Sequence, residues 1–211
     1  MTPPLARFFA RPARWAAGGL LGLGAAGCTG PLARPAYLAY LADPAHGLTQ
    51  ARDAGTTTAT CSYRPTDLLV AQELADRADI TPAARDSARR AYAGKVYCTL
   101  ALARNGAEME TGVINDETAL GQALSYLSTG IARDVYLRGA GRPDSVQALG
   151  ASYARQYGGT GRSTVLLVFA APGPDVARGF TLTYRDTQFG LAPLHFAFTA
   201  RALRDVPALQ F

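Results

Sequence analysis

Lysine is nearly absent from these 211 residues: Lys95 stands alone, and arginine carries the rest of the positive charge. Histidine occurs twice, at His46 and His195, cysteine three times, and tryptophan once, at Trp15. Zinc chemistry needs His, Cys or carboxylate ligands at close spacing. The two histidines stand in opposite halves of the chain and neither belongs to a recognisable motif. Calcium loops of the Asp-x-Asp-x-Asp-Gly kind are missing too, although Glu108, Glu110, Asp116 and Glu117 lie close together in sequence. No metal and no cofactor is therefore expected. Nucleophile motifs are incomplete: Gly161-Arg162-Ser163-Thr164-Val165 lacks the second glycine of a hydrolase elbow, and Tyr126-Leu127-Ser128-Thr129-Gly130 lacks the first. The run Gly158-Gly159-Thr160-Gly161-Arg162-Ser163-Thr164 has Gln156 where a phosphate loop needs its first glycine and Arg162 where it needs lysine. It reads as a glycine-rich turn leading into a strand.

What the sequence does contain is concentrated first at its N-terminus. Met1 to Arg14 holds Arg7, Arg11 and Arg14 and no acid, and Trp15 to Gly27 is a run of apolar and small residues. A basic stretch followed by a short apolar one has the build of a secretory signal, and the run falls short of the roughly 20 residues a bilayer-spanning helix needs. No twin-arginine pair is present. The run ends Ala25-Ala26-Gly27-Cys28. These residues resemble the lipobox of bacterial lipoproteins, departing from it in having Ala25 where leucine is usual. The resemblance covers residues 1–28 only. It implies cleavage before Cys28, acylation of that cysteine and attachment to the membrane through the lipid, since two or three acyl chains anchor stably where one does not. Thr29, in place of aspartate, implies the outer membrane, with the body facing the periplasm. The expected organisation is then a signal peptide at 1–27, a lipidated cysteine and tether at 28–46, with Tyr37, Leu38, Tyr40 and Leu41 as a possible docking patch, and one globular domain at 47–211.

Charge agrees with this division. The 21 bases exceed the 16 acids by five. Loss of Arg7, Arg11 and Arg14 with the signal leaves an excess of two, too little to argue for nucleic-acid binding. The remaining cysteines, Cys61 and Cys98, fall on the apolar faces of two expected strands. Export makes a disulfide chemically accessible, and small buried thiols fit the same pattern.

Along the body, residues 47–63 read as a hairpin turning at Asp53-Ala54-Gly55. Thr66-Asp67 is placed to cap a helix over 68–78, and Thr81-Pro82 to start another with Ala84, Ala88, Ala91 and Tyr92 on one stripe. Residues 95–103 alternate, Asn105-Gly106 suits a type I′ turn, and 107–114 is the expected returning strand. Asp116 opens a helix with Leu120, Ala123, Leu124 and Leu127 on one face, ended by Gly130. Further strands are expected over 131–137, 164–170, 180–184 and 194–200. Residues 145–157 fit both periods and are assigned to a strand. Hairpin connections and irregular helix placement argue for an α+β fold. The expectation is an antiparallel β-sandwich or curved sheet of about seven or eight strands, with two or three helices packed on it.

One constellation points to binding. Arg133, Arg138, Arg142, Arg155 and Arg162 are interleaved with Tyr136, Tyr153 and Tyr157. Arginine forks hold phosphate or carboxylate, and tyrosines suit sugars and partner proteins. Arg133, Tyr136, Arg138, Tyr153, Arg155 and Tyr157 form the candidate binding face for an envelope protein or glycan, or for a lipid headgroup. The competing reading is a hydrolase of envelope polymers that assembles two carboxylates in the fold. Asp134, Asp186 and Glu110 are its candidates, and a pair roughly 5–10 Å apart is its requirement.

Overall fold

The computed structural model describes residues 30–77, 79–170 and 176–211, so the expected signal and Cys28 lie outside the described residues. Five α-helices and ten strands are found there, in two antiparallel sheets. The helices are α1 (Arg34–Ala42), α2 (Thr66–Glu73), α3 (Pro82–Tyr92), α4 (Glu117–Ser128) and α5 (Ala200–Arg204). The strands are β1 (Thr49–Ala54), β2 (Thr57–Tyr63), β3 (Lys95–Arg104), β4 (Ala107–Glu108), β5 (Val135–Gly139), β6 (Val146–Gln147), β7 (Gly150–Tyr153), β8 (Ser163–Ala170), β9 (Gly179–Tyr184) and β10 (Leu194–Thr199). One sheet runs β1-β2-β3-β8-β7 with β4 beside β3, and the other runs β10-β9-β5-β6.

The sequence is that of an α+β sandwich, and the packing shows why. Inward positions of the larger sheet (Cys61, Cys98, Leu100, Val165, Leu167, Phe169) meet those of the smaller one (Val135, Leu137, Phe180, Leu182, Phe196, Phe198) in one buried cluster. The period-2 alternation is what places each set on a single face. Helix α4 adds Tyr126 and Leu127 to the same cluster.

The two sheets are joined along both edges. At one edge the chain itself crosses over: Gln147 pairs with Tyr136 in the smaller sheet and Gly150 with Val168 in the larger. Between them the Ala148 N–H donates to the Val135 carbonyl and the Leu149 N–H to the Val168 carbonyl. At the opposite edge a side chain makes the join. The Gln50 amide of β1 donates to the Ala197 carbonyl of β10 at 2.6 Å and accepts from the Ala197 N–H at 3.2 Å. An amide side chain thus replaces a strand neighbour, which covers edge groups that would otherwise be free to pair with another chain.

Several elements differ from expectation. The segment expected as a tether over 28–46 is docked from residue 32 onward, and the docking patch expected there forms through Tyr37 and Leu41 but not Leu38: Leu32 bridges Leu209, Tyr37 and Leu41 of α1 are buried against Leu48, Leu68 and Ala202, and Leu38 is exposed. Thr66 and Asp67 do not cap α2. Asp67 binds Arg89 of α3 through two bonds of 2.7 and 3.1 Å, which ties the helices together, and α2 ends at Glu73. The returning strand expected over 107–114 stops at Glu108, where Met109–Val113 coil into a 3₁₀ turn. Likewise Gly130–Asp134 is a 3₁₀ turn, and the strand expected over 131–137 begins at Val135. The Thr81 and Asp116 caps form as expected, on the N–H groups of Ala84 and Ala119.

Candidate functional site

Three polar constellations stand out, and the expected binding face, Arg133 apart, is divided between two of them. The first lies where β7 runs into the loop before β8. Glu108 and Glu110 flank Met109 at the start of the 3₁₀ turn and are 2% and 1% exposed. The Glu110 carboxylate accepts from the Tyr153 hydroxyl and from Ser163 Oγ, the latter at 2.6 Å. Ser163 Oγ in turn accepts the Met109 N–H at 2.8 Å. Glu108 accepts the Gly158 N–H at 2.9 Å and the Thr160 hydroxyl at 3.3 Å. Two buried acids thereby clamp residues 153–163 against the body. Burial, with the Glu110 carboxylate next in weight, pushes the Tyr153 hydroxyl well above its ordinary pKa.

This clamp displays an aromatic ring. Tyr157 is 81% exposed and has φ of 51°, a backbone region that costs a tyrosine free energy. The Arg155 guanidinium lies 4.7 Å from its ring centre, within cation–π range. Arg155 Nε stands 3.8 Å from Glu110 and makes no hydrogen bond among the described residues.

The second constellation is the outer face of the smaller sheet. Tyr136 and Arg138 point outward from β5, opposite Thr183 and Thr181 of β9. Arg185 lies over the Tyr136 ring at 5.5 Å, and Thr183 shares a hydrogen bond with His195. A cavity of about 410 Å³ opens here, lined by Arg138, Arg142 and Arg178 and floored by Gly179, Thr181 and Ala197. Arg133 belongs to neither place. It is exposed on its 3₁₀ turn, its guanidinium beside Gly130.

The third constellation brings together two of the hydrolase candidates. Asp134 and Asp186 both accept from the Tyr126 hydroxyl, at 2.6 and 3.4 Å. Each is also a fastener for the loop after β9. Asp134 accepts the N–H and the hydroxyl of Thr187. Asp186 accepts the Tyr184 hydroxyl and the N–H groups of Gln188, Phe189 and Leu191. Burial pushes the Tyr126 and Tyr184 hydroxyls strongly upward, with the neighbouring acids adding to it. Glu110 is not part of this group, and the four described cavities are lined by neither aspartate.

Cys61 and Cys98 are free thiols, fully buried at diagonal positions: Cys61 is opposite Leu100, and Cys98 opposite Tyr63. Burial pushes the Cys61 thiol up, with Cys98 adding to it. Among the described residues no group of three His, Cys, Asp or Glu side chains is placed to hold a metal ion, and no helix is long and apolar enough to cross a membrane. Sequence reasoning missed the clamp. Glu108 and Glu110 read as part of an acidic cluster near a hairpin, and no signal marked them as buried.

No family model, curated protein or solved structure matches the chain.

Proposed function

We propose that this chain is an envelope lipoprotein, exported through residues 1–27, acylated at Cys28 and held in the outer membrane facing the periplasm. Its body is a non-enzymatic binding module that presents Tyr157 to an envelope glycan. The displayed ring carries this reading. A large aromatic stands in solvent, in a costly backbone conformation, on a loop clamped by two buried carboxylates. Arg155 covers one ring face, leaving the other for the C–H face of a sugar, with the guanidinium at hand for its hydroxyl or carboxyl groups. The anchor suits such a role. Only Thr29 to Pro31 separate Cys28 from Leu32, whose backbone is bonded to Ala208 and Gln210. At roughly 3.5 Å per extended residue, the Leu32 Cα is then held within about 14 Å of the Cα of the lipidated cysteine.

Two measurements on the full-length chain test the two parts separately. Mass spectrometry of the membrane-extracted protein should find an N-terminal peptide beginning at acylated Cys28; an unprocessed or unacylated N-terminus refutes the anchor. Co-sedimentation with purified sacculi should fall at least tenfold in Tyr157→Ala while the thermal midpoint is kept. Equal sedimentation of the two proteins refutes the ring as the contact. A second reading, hydrolysis of an envelope polymer, draws on the closeness of Asp134 and Asp186. It requires soluble fragments released from sacculi by the native chain and not by Asp134→Asn.

A further inference from the structure

Helix α1 is built unlike the other surface helices of this body. After Arg34 it carries no charge, and its remaining residues are two tyrosines and apolar side chains. Tyr37 and Leu41 turn one face into the body, and the Tyr40 hydroxyl turns back to the Asp205 carbonyl at 2.9 Å. Pro35, Ala36, Leu38, Ala39 and Ala42 are left in solvent, Leu38 at 39%. A surface helix ordinarily turns charged and polar residues outward, and a helix apolar all round is one that is covered on every side. The longer helices follow the ordinary pattern: Asp86, Ser87 and Arg90 face solvent on α3, and Glu117, Gln122 and Ser125 on α4. The outer face of α1 is thus an apolar strip with nothing packed on it among the described residues.

The place of the helix in the chain says what covers it. Resting on the acylated Cys28 proposed above, we infer that the outer face of α1 lies on the lipid surface and sets how the body stands on the membrane. Leu32, two residues before the helix, is bonded to Ala208 and Gln210 and is reached from Cys28 across three residues. Helix α1 is therefore the first element that the lipid meets. Its one charge, Arg34, stands at the end nearest Cys28, which suits the phosphate of a lipid headgroup. The next charge, Asp43, lies past the other end, with its carboxylate accepting the Ala45 N–H at 2.9 Å. The acyl chains hold the protein to the membrane, so this contact has only to orient it. A contact made within a short tether is effectively intramolecular, and a weak one suffices. The orientation serves the displayed ring. Helix α1 meets the larger sheet where β1 begins and β2 ends: the Thr49 hydroxyl donates to the Leu41 carbonyl at 2.8 Å, and Thr49 is opposite Ser62. The loop bearing Tyr157 meets that sheet where β2 begins and β3 ends, with Gly161 against the Gly106 carbonyl and Ser163 opposite Leu102. With α1 on the lipid, Tyr157 faces away from it.

Tryptophan fluorescence tests this. Trp15 is the one tryptophan of the sequence and precedes Cys28, so the processed chain has none and an introduced one is seen alone. The acylated chain is reconstituted in vesicles of phosphatidylcholine and phosphatidylglycerol, with and without bromine on the upper part of the acyl chains, which quenches tryptophan only on contact. Leu38→Trp should lose emission about twofold or more in the brominated vesicles, at the shallow depth of an interfacial helix. Ala42→Trp, one turn further along, should behave alike, and it carries the test if the thermal midpoint shows that Leu38→Trp is unfolded. Tyr157→Trp, at a position 81% exposed, should be unaffected. Absence of quenching at positions 38 and 42, or equal quenching at 157, overturns the inference. Shielding of 38 and 42 from iodide in the water without quenching by bromine also overturns it, since a second copy or another protein then covers the face. Flotation of the same vesicles separates this result from the anchor. A chain that floats unquenched refutes the contact and leaves the anchor standing, while a chain that does not float refutes the anchor and the contact with it.

Discussion

Replacing Glu110 by glutamine keeps the shape of the side chain and removes its charge, so it isolates what the buried carboxylate does. Glu110 is 1% exposed and accepts from the Tyr153 hydroxyl and from Ser163 Oγ at 2.6 Å. Ser163 cannot readily turn its proton elsewhere, because its oxygen already accepts the Met109 N–H. In the amide one of the two carboxylate oxygens becomes a donor, so one hydroxyl faces an N–H instead of an acceptor. A hydrogen bond to a charged group contributes about 1.5–3 kcal/mol. Arg155, 3.8 Å away with 24% of its side chain exposed, loses its countercharge as well. Removing one partner of a fully buried pair costs about 3–5 kcal/mol, and the partial exposure of Arg155 places its share well below that. The expected loss is about 3 kcal/mol, against total stabilities of roughly 5–15 kcal/mol for domains of this kind. For a chain of this length that lowers the thermal midpoint by about 6–12 °C. Urea unfolding of Glu110→Gln beside Asp144→Asn, an exposed control, measures it. A loss below about 1 kcal/mol, or one no larger than the control's, would refute the view that Glu110 clamps the loop.

Four further outcomes are expected. Gln50→Ala removes both bonds to Ala197 and should cost about 1–2 kcal/mol, with faster hydrogen exchange of the Ala197 amide; unchanged exchange would show that the seam does not depend on the side chain. Gly179→Ala places a Cβ against the Phe198 carbonyl at a φ of 93° and should cost roughly 2–4 kcal/mol, read from the urea midpoint. Burial raises the Tyr63 hydroxyl to about 12, and burial raises Tyr92 to about 12 as well, with Glu73 adding to it; Tyr126, Tyr153 and Tyr184 are also shifted upward. A folded-state pKa above the unfolded one gives stability that is complete below pH 10 and lost as pH rises toward 12, by up to about 1.4 kcal/mol per unit for each buried tyrosine. The last part of the tyrosinate absorbance change should therefore coincide with unfolding, and a rise completed well before unfolding would contradict the burial. Titration of the denatured, membrane-extracted protein with a thiol reagent should find Cys61 and Cys98 both reactive, and a mass two hydrogen atoms lighter would instead report a bridge.

Local signals in the sequence were reliable where one element served one sheet. The Asn105-Gly106 turn carries positive φ at both residues, 51° and 75°, and the alternation over β3, β9 and β10 points inward where expected. Residues 145–157 were ambiguous for a structural reason. Their two short strands belong to different sheets, with the crossing at Ala148 and Leu149, so no single period holds across the segment. The stretch over 107–114 looked like a strand because it follows the Asn105-Gly106 turn, whose hairpin needs a returning arm. It coils instead, and the coil turns Glu108 and Glu110 inward onto partners some fifty residues away. Partners at that separation leave no periodic trace. The docking patch in α1 was legible as apolar residues, and Tyr37 and Leu41 are buried, but what they pack on, from α2, α5 and the C-terminal residues, was not.

The binding face fared differently, and the reason sets the limit of such readings. Tyr136 and Arg138 are two apart on one strand and share its outward face, as the pleat requires. Tyr153 and Arg155 are also two apart, yet they turn toward Glu110 at the mouth of the clamped loop. Proximity in sequence grouped these pairs, while the strand crossing at residues 148–149 separates them, because it moves the chain from one sheet to the other between them. Arg178, which lines the same cavity as Arg138, lies forty positions from it along the chain and comes near it only through the β5–β9 register. Residue types could thus be grouped from the sequence, but which of them share a place is decided by strand pairing.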